Sequence, residues 1–147
     1  MNSPSYSERL FPAVGTQLAL ALSIPMTFLA ALPFSQATAV IAALIAGAIV
    51  LGLGNALAPK ISVTDVLQAG RFKVPLEAIG ELKVLDADQL KRKIGPEANP
   101  KAQLLIRGDL KTALEIEIVD PSDPTPYLVI SSRNPQALAS AIYANRT

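Results

Sequence analysis

LFPAVGTQLALALSIPMTFLAALPFSQATAVIAALIAGAIVLGLGNALAP, residues 10 to 59, runs for fifty positions without one Asp, Glu, Lys or Arg. A bilayer core is crossed by roughly 20 apolar helical residues, so this stretch has room for two spans and a turn. The first span reads from about Val14 to Leu32 and the second from about Ala37 to Leu57. Between them Pro33 interrupts the helix, and Ser35 is placed to cap the next one. The spacing therefore predicts a transmembrane helical hairpin over residues 13–58. Pro25 lacks a backbone donor and should kink the first helix unless neighbours of Ala21 re-satisfy the freed carbonyl. The apolar run is too long for a signal-peptide core, and a second span follows at once, so a cleaved leader is the poorer reading.

Outward from this stretch the composition changes abruptly. Of 13 basic and 12 acidic residues in 147, only Glu8 and Arg9 precede it; all others lie at or beyond Lys60. The basic residues flank the hairpin, with Arg9 before it and Lys60, Arg71 and Lys73 after it, and the turn has none. The excess of Lys and Arg on the cytoplasmic side of membrane proteins then puts both termini in the cytoplasm of a two-span plasma (inner) membrane protein. Three parts are expected: a cytoplasmic segment 1–12, the hairpin 13–58, and a cytoplasmic domain 60–147.

Small residues recur every fourth position along both spans. Gly15, Ala19, Ser23 and Thr27 mark one face of the first; Ala43 and Gly47, with Ala48 and Gly52 beside them, mark the second. Such faces let helix backbones approach closely. They predict packing of the two helices, and the second helix has a face to spare for a partner subunit. No ionisable residue lies within the spans, which argues against a solute carrier or proton pump.

Beyond Lys60 the period shortens to two. KISVTDVL, RFKVP, IGELKVLD, AQLLIRG, TALEIEIVD and YLVISS read as strands. Asp86 and Gly95 bracket a short helix, and Asn134 with Pro135 open a last one. The fold class is α+β: a membrane hairpin followed by a small antiparallel β-rich domain with a C-terminal helix. Its order of elements suggests a pleckstrin-homology-like barrel or sandwich.

Chemistry is sparse. The chain has no cysteine and no histidine, so thiolate nucleophiles, the commonest general base and the commonest transition-metal ligands are missing. A net charge of +1 without a concentrated basic surface gives no footprint for nucleic acid. Asp120 and Asp123 are the one close carboxylate pair in a loop, but prolines around them make turn formation the simpler role. No metal and no cofactor are expected. Ser131 and Ser132 have no base beside them in sequence, and Arg133 reads as a surface residue at a helix start. Lys91, Arg92 and Lys93 form the basic cluster of the short helix and are candidates for lipid headgroup contact.

VDPSDPTPYLVISSRNPQALASAI, residues 119 to 142, carries Asp120, Asp123, Pro124, Pro126, Tyr127 and Arg133 in a dense run. It resembles the C-terminal signature of an actinobacterial two-span membrane protein family known as domain of unknown function 3093. The resemblance extends to the N-terminus, where Tyr6, Glu8, Arg9, Leu10 and Pro12 match the family's tyrosine, "ERL" and proline. This chain departs from it in lacking tryptophan, with Leu128 where the family often has one. The resemblance implies an integral plasma-membrane protein and supplies no catalytic residues.

Three functions are weighed on these grounds. The first is a non-enzymatic accessory protein that binds other membrane protein subunits, as a small subunit of a larger plasma-membrane complex such as a respiratory assembly. The second is an inner-leaflet module that senses lipid or ligand. The third is a metal-dependent enzyme using Asp120 and Asp123.

Overall fold

The computed structural model describes residues 5–146; residues 1–4 of the expected N-terminal segment, and Thr147, lie outside it. The chain divides into two compact units, one formed by residues 59 onward together with the segment up to Leu10, the other by Phe11–Ala58.

In the second unit, α1 (Val14–Ala21) and α2 (Ser23–Ala31) make up the first apolar segment and α3 (Gln36–Ala56) the next. Both segments are long and apolar enough to cross a membrane, with mean hydropathies of 1.6 and 2.3. The expected single first helix is broken at Leu22. Pro25 has no N–H for the Ala21 carbonyl, and the Leu22 N–H is shared between the carbonyls of Leu18 and Ala19 at 3.2 and 3.3 Å. Ser35 caps α3 as its position predicts, accepting from the Thr38 N–H at 3.1 Å.

The first unit opens with β1 (Tyr6–Arg9), then β2 (Lys60–Val63), β3 (Val66–Ala69) and β4 (Phe72–Pro75), which form one antiparallel sheet in that order. KISVTDVL is thus not one strand. It turns at Thr64, whose N–H donates to the Val66 carbonyl, so that Val63 and Leu67 face each other across the hairpin. Alternation runs on through such a turn, which is why the sequence pattern conceals it. Gly70 closes the next turn at φ +58°, a conformation that a Cβ disfavours. Gly70→Ala should cost about 1 kcal/mol and lower the melting temperature by several degrees; an unchanged melt would show that the turn relaxes freely.

A single 3-10 turn, Leu76–Ala78, leads into β5 (Ile79–Leu85), α4 (Ala87–Ile94), β6 (Gln103–Leu105), β7 (Ala113–Ile118), β8 (Tyr127–Ser131) and α5 (Pro135–Ala144). The second sheet has the order β5-β7-β8-β6. β6 and β7 do not pair around Gly108–Asp109 as a hairpin; β8 lies between them, and β6 runs parallel to it. The alternation of β7 buries Leu114 and Ile116 and turns Glu115 and Glu117 outward. Leu138 and Ile142 of α5 are fully buried in a core shared with Ile61, Leu67, Leu114 and Leu128. Burial on this scale contributes about 1.5–3 kcal/mol for each large side chain, which fixes α5 to the sheets. A smaller cluster of Leu85, Leu90, Ala113 and Val129 holds α4.

The largest departure from the sequence reading is β1. Tyr6–Arg9 is not a separate cytoplasmic segment but an edge strand of the domain, and Arg9 stands opposite Lys60. The uncharged stretch therefore leaves one strand and returns to its immediate neighbour.

Candidate functional site

Glu8, on the edge strand β1, is brought beside the end of β8. Its Oε2 accepts from the Ser132 hydroxyl at 2.7 Å and from the Tyr6 phenol at 2.9 Å, and its Oε1 accepts from the Arg133 N–H at 3.0 Å. Ser132 is fully buried; its hydroxyl oxygen also accepts from the Asn134 N–H at 3.1 Å, and its carbonyl accepts from Thr112 at 2.7 Å. Burial, reinforced by the Glu8 carboxylate, pushes the Tyr6 phenol above its ordinary value and keeps it a proton donor. Asn145 adds a bond from the end of α5 to the Ser5 hydroxyl at 2.7 Å. This cluster ties the N-terminal strand to the start and the end of the last helix. Glu8 and Ser132 lie 124 residues apart, and their neighbours in sequence give no sign that they meet.

The serine pair has structural partners. The Ser131 oxygen, also fully buried, accepts from the Arg107 N–H at 3.0 Å. Asn134 caps α5, accepting from the Ala137 N–H at 3.0 Å, with Pro135 in the first turn.

The proline-rich loop closes on itself. Asp120 Oδ1 accepts from the Ser122 N–H and hydroxyl at 2.8 and 2.6 Å, which holds its carboxyl below the ordinary value. Asp123 Oδ1 accepts from the Thr125 N–H at 2.8 Å. Both are side-chain-to-backbone turns of the kind Asp favours before proline. Among the described residues no three Asp or Glu side chains gather at metal-ligand spacing. Pro124 is exposed, whereas Pro126 is half-buried and its carbonyl accepts from the Ile118 N–H at 3.1 Å. Tyr127 follows; its phenol oxygen accepts from the Asn99 N–H at 3.1 Å.

The basic cluster of α4 does not act as a unit. Lys93 turns toward the sheet, pairing with Glu115 at 2.7 Å and lying 4.1 Å above the Tyr127 ring. Arg92 pairs with Glu97 at 3.6 Å, and Lys91 is exposed elsewhere on the helix. Lys93 is thus engaged on the sheet side of α4. The Glu115 hydrogen bond raises Lys93 above its ordinary value of 10.5, against the opposing effect of burial. A raised folded-state value means that the stability from this lysine is complete below 10.5 and is lost as pH rises through the raised value. Lys93→Met should cost about 1 kcal/mol near neutrality, and the difference from wild type should vanish on the alkaline limb of an unfolding-versus-pH series. A difference that persists at high pH would mean packing, not charge, is the cause.

In the helical unit, Ala43 and Gly47 lie on the buried side of α3. A Cβ on Gly47 would fall 2.9 Å from the Ile24 side chain, so the small residues of α3 receive a large side chain of α2. Ser23 and Thr27 are half-buried, with the Thr27 hydroxyl bonded to the Ser23 carbonyl at 2.7 Å. Gly15, Ala19, Ala48 and Gly52 are exposed, and nothing lies within 4 Å of where a Cβ on Gly15 or Gly52 would stand. The stripe on the first segment is thus split, with Ser23 and Thr27 half-buried and Gly15 and Ala19 exposed.

No curated protein and no solved structure matches the chain. The clasped segments, Tyr6–Arg9 at one end and the Tyr127–Pro135 stretch at the other, both fall within residues 5–142, which match the family described as Protein of unknown function (DUF3093); the chain belongs to that family.

Proposed function

We propose that the chain is a non-enzymatic integral membrane accessory protein whose hairpin crosses the plasma membrane twice and whose β-domain works on the cytoplasmic side. The observation that carries this reading is the pairing of Arg9 with Lys60 across β1 and β2. Both ends of the uncharged stretch enter one sheet, so a chain that crosses the membrane must cross it an even number of times. The hairpin's outward side chains support the crossing: Met26 is 71% exposed and Leu44 66%, an apolar surface that water does not tolerate at this extent. Two four-stranded sheets closed by a C-terminal helix favour a pleckstrin-homology-like arrangement, with α4 and the parallel β6 as additions.

The function is then to hold the domain against other subunits of a membrane complex, a respiratory assembly being one such case. The exposed Ala48 and Gly52 on α3 suit close approach of a partner helix.

Because the chain has no native cysteine, topology is testable by single substitutions. Ser35→Cys in the turn should react with a membrane-impermeant maleimide in intact cells, and Lys101→Cys in the domain only after lysis. Labelling of both from one side would sink the two-span topology. Crosslinking in native membranes followed by pulldown should recover partner subunits. Recovery only as a free monomer, with and without crosslinker and across several mild detergents, would overturn the accessory role.

A further inference from the structure

The strand directions sort the charges of the β-domain by end. Where the chain leaves the domain, Arg9 and Lys60 face each other, and the Gly70 N–H bonds the Lys60 carbonyl at 2.9 Å, with Arg71 next in the turn. A Cβ on Gly70 would touch Leu105 at 3.4 Å, which brings the loop carrying Arg107 and Lys111 to the same end. Carboxylates gather at the other end. The Asp65 carbonyl accepts from the Leu76 N–H, Glu77 follows, and the Val119 N–H bonds Ala78 beside Asp120. Glu117 accepts from the Glu81 N–H there at 2.9 Å. Arg9, Lys60 and Arg71 thus share a positive pole where residues 10 and 59 meet, whereas the other end is mixed, since Arg146 bonds the Gly80 carbonyl there at 2.9 Å.

Beside that pole, between α4 and the 106–111 loop, lies a groove of about 300 Å³ floored by Leu90, Ile94, Ile106 and Leu110. This volume is at the lower end of small-ligand sites, roughly 300–1,000 Å³. Three cations line it. Arg107 is neutralised by Asp109, at 3.2 and 3.3 Å. Lys91 and Lys111 are exposed, and neither forms an ion pair among the described residues.

We propose that this groove holds the headgroup region of an anionic phospholipid from the leaflet facing the domain. Lys91 and Lys111 take the phosphate; the apolar floor takes the glycerol and the first methylenes. The proposal rests on the membrane reading given above. An apolar floor with a cationic rim fits a ligand whose anionic and apolar parts adjoin, which a free phosphate lacks.

The test uses the full-length protein in nanodiscs of phosphatidylcholine mixed with phosphatidylglycerol, released into mild detergent, with retained lipid read by native mass spectrometry. Wild type should retain phosphatidylglycerol in preference to phosphatidylcholine. Lys91→Gln with Lys111→Gln should weaken that retention by about 30-fold, the factor for two lysines at about 1 kcal/mol each. Lys83→Gln with Lys101→Gln, on other surfaces of the domain, should leave it unchanged. Equal retention of both lipids, or undiminished retention by the first double variant, would overturn the proposal. Displacement by soluble glycerol phosphate as effective as by the intact lipid would show a free-phosphate site and overturn it too. Alkaline carbonate extraction separates this from the underlying reading: release of wild type defeats the membrane reading, whereas firm insertion without lipid preference defeats this proposal alone.

Discussion

Replacing residues 11–58 with an Asn-Gly turn should give a soluble domain that still unfolds cooperatively, whereas the full chain should need detergent to stay in solution. The Leu10 N–H already bonds the Pro59 carbonyl at 3.0 Å, and Arg9 stands opposite Lys60. The two strand ends are therefore as close as those of an ordinary β-hairpin, and Asn-Gly suits the two-residue turns that join such ends. The excision removes Val14, Leu18, Met26, Phe34, Leu44 and Leu53, all more than half exposed. It leaves a core in which Leu10, Ile61, Leu67, Leu114 and Leu138 are fully buried. Partition after ultracentrifugation and a circular-dichroism melt would check both halves of the expectation. A domain that stays in the pellet, or is soluble without a cooperative transition, would show that the hairpin is needed for folding.

The second large effect is expected at Glu8. Glu8→Ala removes the acceptor for the Tyr6 phenol, the Ser132 hydroxyl and the Arg133 N–H. Tyr6 is half-buried and Arg133 exposed, so water can replace part of what they lose. Ser132 is fully buried, and its hydroxyl would keep the desolvation cost without the bond. Hydrogen bonds to charged groups contribute about 1.5–3 kcal/mol each, less where water can substitute, so the net loss should be about 2–4 kcal/mol. For a domain of this size that lowers the melting temperature by roughly 10–20 °C. Glu8→Gln, which retains an acceptor oxygen, should lose about half as much. A double-mutant cycle with Ser132→Ala should give a coupling of about 1 kcal/mol or more. Glu8→Ala melting within a degree of wild type would mean the cluster is incidental.

The parts legible in the sequence were those decided by neighbours. Ser35, Asp86 and Asn134 cap the helices that follow them, since a cap needs only an oxygen two or three residues before free N–H groups. The Asp120 and Asp123 loop likewise bonds within itself, as its prolines suggest. Strand alternation identified most of the second sheet, yet it concealed the turn at Thr64. Residues 91–93 are contiguous in sequence but diverge around the helix, so the sequence does not show which of them stay exposed. Lys93 meets Glu115, which no local pattern specifies.

Composition alone determined that residues 10–59 hold two apolar helical segments, because the absence of charge over fifty positions excludes a solvated strand or loop of that length. It also determined the lack of thiol and imidazole chemistry. Only the tertiary structure decided that β1 joins the domain, that β8 separates β6 from β7, and that Glu8 bonds Ser132 across 124 residues. The reason is physical: a four-residue strand such as YSER has no preference strong enough to choose a partner. Its pairing is favoured by the burial of Leu10 and by the Glu8 carboxylate that satisfies the buried Ser132, and both exist only once the distant segments have met.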